Sequence, residues 1–296
     1  MEKPDIVIAS LGYPGMGEQS EGKAALEAYR AGVINGRELE ERLKEARFAS
    51  LMAQQEAGVD WIPVGGLAPH DDALDHVIAF GLVPERFAEA AARGSAALAL
   101  AMAEGAPGAA ACRAKPWYVT PCQYVVPELA ADTAPRLARN PWAEAFREAR
   151  AHLRALPVPA MIGPYTFAKL AEGLPPQEAL ERLAPAYAEA LRGLAEAGAE
   201  WVQLEEPELA RPVPPEDWPL IGRVYQALHD AAPALRLMLQ LTFGVPDDCA
   251  RLFALPAAGI GLDFTADGGR ALLAVAKHGF PSDRVLGAGI IDARGV

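Results

Sequence analysis

The chain has 296 residues, 51% of them apolar and 22% charged, the ordinary balance of a folded globular protein with a sizeable core. A formal net charge of −12 argues against nucleic acid or an anionic membrane surface as the main partner. An anionic small ligand would have to be held by individual local cations. Three widely spread cysteines (Cys112, Cys122 and Cys249) fit a reduced, cytoplasmic setting better than a disulfide framework, and the apolar run from Ile6 to Leu11 is far too short for a secretory signal.

In chain order the β-rich runs are Asp5–Leu11, Asp60–Gly65, Trp117–Val126, Val158–Ile162, Trp201–Leu204, Arg236–Leu241, Gly259–Phe264 and Arg284–Ile291. Helical patterns lie between them. Arg37–Ala57 carries Leu39, Leu43 and Ala46 on one face, and Gln177–Ala197 repeats Leu180, Leu183, Tyr187, Leu191 and Leu194 at helical spacing. Gly94–Ala103, alanine-rich and nearly uncharged, reads as a buried helix rather than a membrane span.

Two joints are nearly the same sentence, Glu56-Ala57-Gly58-Val59-Asp60-Trp61 and Glu196-Ala197-Gly198-Ala199-Glu200-Trp201. Glycine ends a helix in the left-handed region and a strand follows at once. Repeated helix–glycine–strand units mean parallel strands with crossover helices. Eight of them predict one α/β domain over residues 1–296, a (β/α)8 TIM-type barrel with extra N-terminal helices. The sequence stops just past the eighth strand, so the expected barrel lacks the last covering helix or borrows an N-terminal one.

Working residues of such barrels sit at the C-terminal ends of the strands. After the first strand, Gly12-Tyr13-Pro14-Gly15-Met16-Gly17 makes a tight loop, though without a phosphate-binding spacing. Ser20-Glu21-Gly22-Lys23 then opens a helix, where free N–H groups and Lys23 can receive a carboxylate; Ser20 as a plain N-cap with Lys23 in solvent is an equal reading. After the fifth strand, Glu205-Glu206-Pro207 puts two carboxylates at a strand end, suited to orienting a ligand or to general-base work, or to capping a neighbouring helix. The five histidines (His70, His76, His152, His229, His278) and three cysteines show no ligand spacing, so neither a zinc site nor a Cys–His nucleophile is expected.

Read in order, several segments resemble the N-terminal half of cobalamin-independent methionine synthase. They are Leu11-Gly12-Tyr13-Pro14 with Glu21 and Lys23, Gln55 to Asp60, Ile62-Pro63-Val64-Gly65, Asp75-His76-Val77, Val126-Pro127-Glu128, Ile162 to Phe167, Trp201 to Pro207, and the stretch from Gly287 to Arg294. The resemblance implies the non-zinc barrel of a two-barrel enzyme that methylates homocysteine from 5-methyltetrahydrofolate. Such a barrel helps to hold the folate's polyglutamate tail, while zinc belongs to a C-terminal catalytic barrel, the implied partner. By that resemblance the tail-binding segment maps onto Ser20, Glu21, Gly22 and Lys23, and a further lysine onto Lys115, displaced by about one position. The chain departs from the pattern where Gly15 and Ser20 replace arginines, Glu205 the first acid of Asp-Glu-Pro, and Gly66 an acid after Pro-Val-Gly. Gln240, Thr242 and Ala293 stand where the zinc ligands of the catalytic barrel would fall. The expectation is therefore a chain that binds no cofactor itself and is inactive alone. Two alternatives stay open: a diverged free-standing binding barrel, and a metal-independent enzyme of uroporphyrinogen-decarboxylase-like type using Glu205, Glu206 and Asp263.

Overall fold

In the computed structural model, positions are described for residues 6–12, 21–65, 71–245 and 247–291. The described chain opens with helices α1 (Glu21–Arg30) and α2 (Gly36–Glu56), then strand β1 (Trp61–Val64) and helices α3 (Asp72–Ala79), α4 (Ala88–Ala91) and α5 (Ser95–Glu104). Strands β2 (Ala114–Pro116) and β3 (Gln123–Val125) follow, then α6 (Pro141–His152), β4 (Leu156–Ile162), α7 (Pro164–Leu170) and α8 (Pro176–Glu196). The last part alternates strictly: β5 (Trp201–Glu205), α9 (Trp218–Ala231), β6 (Arg236–Gln240), α10 (Cys249–Ala254), β7 (Gly259–Asp263), α11 (Arg270–His278) and β8 (Val285–Gly289).

Six strands form one parallel sheet in the order β1-β4-β5-β6-β7-β8. Residues 8–10 run beside β1, because Asp60 N–H and Trp61 N–H donate to Ile8 O, Ser10 N–H donates to Trp61 O, and Ala9 bridges Trp61 in parallel. The sheet is thus a curled α/β half-barrel with the predicted strand direction and crossovers. The two repeated joints behave alike: Gly58 and Gly198 sit at φ +85° and +87°, and the next residues, Val59 and Ala199, donate back to Gln54 and Leu194.

The predicted third strand is a correction. Trp117–Val126 does not enter the parallel sheet but turns back on itself, so that β2 and β3 form an antiparallel hairpin. Pro116 and Pro121 remove ladder donors, and Trp117, Thr120 and Cys122 close the turn, Thr120 N–H donating to Trp117 O and Trp117 N–H to Cys122 O.

One large core joins the sheet to α3 and α5–α10, with Trp142, Tyr187, Tyr225, Phe80 and Phe167 fully buried. The extra N-terminal helices have their own small core, in which Ala25, Leu26, Ile34, Leu39 and Leu43 meet Ala96 and Leu100 of α5. Inside the sheet's curl, Trp61, Val158, Trp201 and Met238 pack near the strand starts, the two indoles 4.9 Å apart. Gly259, Gly261 and Gly287 make room there: a Cβ on any of them would run into Met238 or Gln240.

Candidate functional site

Side chains alternate across a strand, so Trp201, Gln203 and Glu205 of β5 share one face. Trp201 fills the bottom of the curl and Gln203 the middle, which puts Glu205 at the C-terminal rim, where it accepts from Gln203 Nε2 at 3.1 Å. Glu205 lines a cavity of about 1220 Å³. The walls are Pro63 and Val64 of β1 with Gly65 just after it, Ala160, Met161 and Ile162 of β4, and Asp71 and Asp72 at the start of α3. The outer wall is the inner side of α2 (Lys44, Arg47, Phe48, Leu51, Gln54), and Cys122 and Gln123 of the hairpin form a lip. Leu11, Gly12 and Gly22 reach the same space. It mixes apolar walls with a few convergent polar groups, the usual character of a small-molecule site.

The deep end is acidic. Burial pushes the Glu205 carboxyl up to about 7, and the neighbouring charge of Asp72 pushes in the same direction. Burial also raises Asp71 to about 7, against two backbone donors: Ala73 N–H at 2.8 Å, where Asp71 caps α3, and Val125 N–H of β3. Asp71 therefore ties the hairpin lip to the first turn of α3. Opposite, Ser10 Oγ donates to Gln54 Oε1 at 2.6 Å, joining the strand-one segment to α2. Among the described residues, the Lys and Arg side chains lining the cavity are Lys44, whose Nζ lies 2.6 Å from Glu148 of α6, and Arg47.

The expected site residues part company. Gly22 and Glu205 meet in the cavity, with Glu21 and Lys23 exposed on the same first turn of α1, while Ser20 lies outside the described residues. Lys115 registers against Tyr124, and its Nζ lies 2.5 Å from Glu172 Oε1 rather than among the cavity lining. A one-residue displacement along a strand turns a side chain to the other face, and here the cavity side belongs to Gln123, which registers against Pro116.

Glu206 points away from Glu205 into the helical layer and is fully buried. It accepts four hydrogen bonds: from Tyr165 N–H (3.0 Å), Thr166 N–H (2.7 Å), Thr166 Oγ1 (2.5 Å) and Tyr225 OH (2.6 Å). It thereby pins the first turn of α7 to α9. Gly163 just before α7 has no room for a side chain, because a Cβ would collide with the Glu206 carboxylate. Asp263 is bound by its own loop, accepting from Thr265 N–H and Oγ1.

His76 is fully buried, its ring nitrogens 2.8 Å from Asp72 O and 3.1 Å from Ile162 O, among Phe80, Trp142, Phe167 and Tyr187. Burial lowers its pKa to about 4, so the ring is neutral at physiological pH. Among the described residues no group of three or more His, Cys, Asp or Glu side chains is placed to hold a metal ion, so the donors do not fit a zinc centre. No helix among those residues is long and apolar enough to cross a membrane.

Sequence reasoning missed two features. Lys44 and Arg47 look like solvated helix charges until α2 is seen to wall the cavity. Tyr118 and Phe243, both with positive φ (50° and 65°), stack at 5.4 Å beside Arg211, and the buried Tyr118 hydroxyl lies near the Glu208 carboxyl. Left-handed backbone at two bulky residues has no local sequence signal.

Comparison with known proteins agrees with this architecture. Residues 7–296 match the family model described as the cobalamin-independent synthase, N-terminal domain. A 5-methyltetrahydropteroyltriglutamate–homocysteine methyltransferase of Halalkalibacterium halodurans is 38% identical over 294 residues, covering 98% of this chain and 39% of the relative. One from Bacillus subtilis is 33% identical, covering 98% and 38%. The chain thus spans about two-fifths of the length of these curated relatives. Among solved structures, a putative vitamin-B12-independent methionine synthase from Listeria monocytogenes superposes with a TM-score of 0.52 at 14% identity, covering 96% of this chain and 90% of that one. A B12-independent methionine synthase from a Shewanella species gives 0.54 at 14% identity, covering 78% and 65%.

Proposed function

The chain belongs to the family of the cobalamin-independent synthase N-terminal domain, and from that premise we propose that it is the folate-holding, zinc-free barrel of a methionine synthase. On this reading its cavity face receives 5-methyltetrahydrofolate with its glutamate tail. A separate zinc-bearing barrel, in the cytoplasm, supplies homocysteine activation and the methyl transfer.

The observation that carries the reading is that Gly22, from the segment expected to hold the tail, and Glu205, from the strand-five motif, come from distant parts of the chain to line one cavity at the C-terminal rim of the sheet. Around it, N–H groups of the first turn of α1 and Lys23 are the carboxylate-receiving elements, and the apolar walls suit an aromatic body. The chain's own chemistry is to bind and orient. The enzyme alternative gains nothing from the geometry: Glu206 is held in the α7–α9 joint, Asp263 accepts from Thr265, and neither lines the cavity with Glu205.

Calorimetric titration with 5-methyltetrahydrofolate bearing one or three glutamates tests this. The expected result is saturable binding that prefers the longer tail, with about tenfold weakening of the triglutamate in Lys23→Ala, the worth of one charge-assisted contact. Absence of binding for both forms would overturn the reading.

A further inference from the structure

The turn of the β2–β3 hairpin does more than connect its two strands. Cys122 and Gln123, on the return limb, form the lip of the cavity. Tyr118, on the outgoing limb, reaches the loops that follow β5 and β6. Its ring stacks on Phe243 with centroids 5.4 Å and planes 22° apart, and the Arg211 guanidinium lies 5.8 Å from the ring centre. Burial, and then the charge of Glu208, push the pKa of the Tyr118 hydroxyl upward, so it stays protonated beside that carboxyl.

The seat of this contact is fixed from beneath. Glu208 N–H donates to Thr166 Oγ1 at 3.2 Å, and Thr166 N–H donates to the buried Glu206. Gly244, next to Phe243, packs so closely on Ala210, next to Arg211, that a Cβ would lie 2.8 Å from Ala210 O. The loops after β5 and β6 are thereby packed into one platform. The base of the hairpin is fixed as well, Val126 N–H donating to Arg113 O at 2.8 Å and Val125 N–H to Asp71. The turn between base and platform is closed by its own bonds, Thr120 Oγ1 to Trp117 O at 2.6 Å and Cys122 N–H to Thr120 Oγ1 at 3.2 Å, with Val119 exposed at its apex.

Both halves of the contact are strained. Tyr118 at φ +50° and Phe243 at φ +65° hold left-handed backbone, which bulky residues keep only where their surroundings impose it. Ring stack, cation and hydroxyl thus hold together what relaxation of the backbone would part.

We propose that the hairpin turn is a gate on the cavity and that Tyr118 is its latch, seated on Phe243. When the ring leaves its seat, the turn lifts about the fixed base and carries Cys122 and Gln123 off the rim. The gate does not depend on which ligand the cavity receives.

Thiol-labelling kinetics on the full chain test this. Ala160→Cys places a thiol on the cavity wall, in the inward row that Ala160 shares with Val158. Cys122→Ser removes the exposed thiol at the lip, and the other cysteines, Cys112 and Cys249, are buried. Alkylation of the introduced thiol by iodoacetamide is expected to speed up about fivefold or more when Tyr118→Ala is added, and equally with Phe243→Ala, as opening of a local unit requires. Combining the two changes should add nothing further, because either one breaks the same contact. Tyr118→Phe keeps the stack and should raise the rate less than Tyr118→Ala. Labelling of Cys249, in α10, should stay as slow as before. An unchanged rate at the introduced thiol would refute the gate. An equal rise at Cys249 would refute it too, since Tyr118 would then support the fold as a whole. Folate titration of the unaltered chain decides the proposed function separately, so either idea can fail without the other.

Discussion

At the scale of single residues, the two adjacent glutamates of the strand-five motif show how position decides role. Glu205 ends an inward-facing row and meets the cavity; Glu206, one residue on, is buried among donors from α7 and α9. Folding raises the Glu205 pKa to about 7 from an ordinary value near 4.5. Between those values the folded chain holds a proton that the unfolded chain has released, so this group's contribution to stability falls as pH rises through that window. Glu205→Gln should therefore melt higher than the unaltered chain at pH 8 and close to it at pH 4; an equal difference at both pH values would contradict this. For Glu206 the expectation is the reverse in kind. Glu206→Ala strands Tyr165 N–H, Thr166 N–H and Tyr225 OH, and Gly163→Ala forces a methyl into the carboxylate. Each should cost about 3 kcal/mol or more in denaturant unfolding. A loss under about 1 kcal/mol would show that the joint can relax.

Whole elements were legible in the sequence wherever the signal was local. The strands β1 and β4–β8 follow from short apolar runs, and the two helix–glycine–strand joints come out with both glycines in the left-handed region. The hairpin was not legible. Its residues carry strand-like composition over Trp117–Val126, but prolines at 116 and 121 break the ladder, and only the fold shows which way the chain turns. That misreading also hid the fate of Lys115, whose partner Glu172 is distant in sequence. Asp71 ties the hairpin to the start of α3 beside the cavity, through Val125 N–H. Asp71→Ala should speed hydrogen exchange at Val125 by at least tenfold while leaving the amides of β5 and β6 unchanged. Uniform acceleration across the sheet would mean that Asp71 supports the fold as a whole rather than the lip.

At the scale of the molecule, the sequence revealed the class of fold and the family but not the cavity. Its walls come from α2, α3, α6, β1, β4, β5 and the hairpin, and no local pattern reports that these faces converge. Among the described residues, apolar side chains are also left in solvent at both edges of the sheet: Ile6, Ile8 and Leu11 in the segment beside β1, and Leu272 and Leu273 of α11 with Ile290 and Ile291 just past β8 on the other side. The proposed role, to bind and orient without supplying the reactive metal, makes a definite prediction for turnover. Methionine formed from 5-methyltetrahydrofolate triglutamate and homocysteine should be measured with this chain alone and with a zinc-bearing catalytic barrel of the same family, alone and mixed with it. The account predicts no product from the chain alone and a rate in the mixture well above that of the catalytic barrel by itself. Turnover by the chain alone, or a mixture no faster than the catalytic barrel, would contradict it.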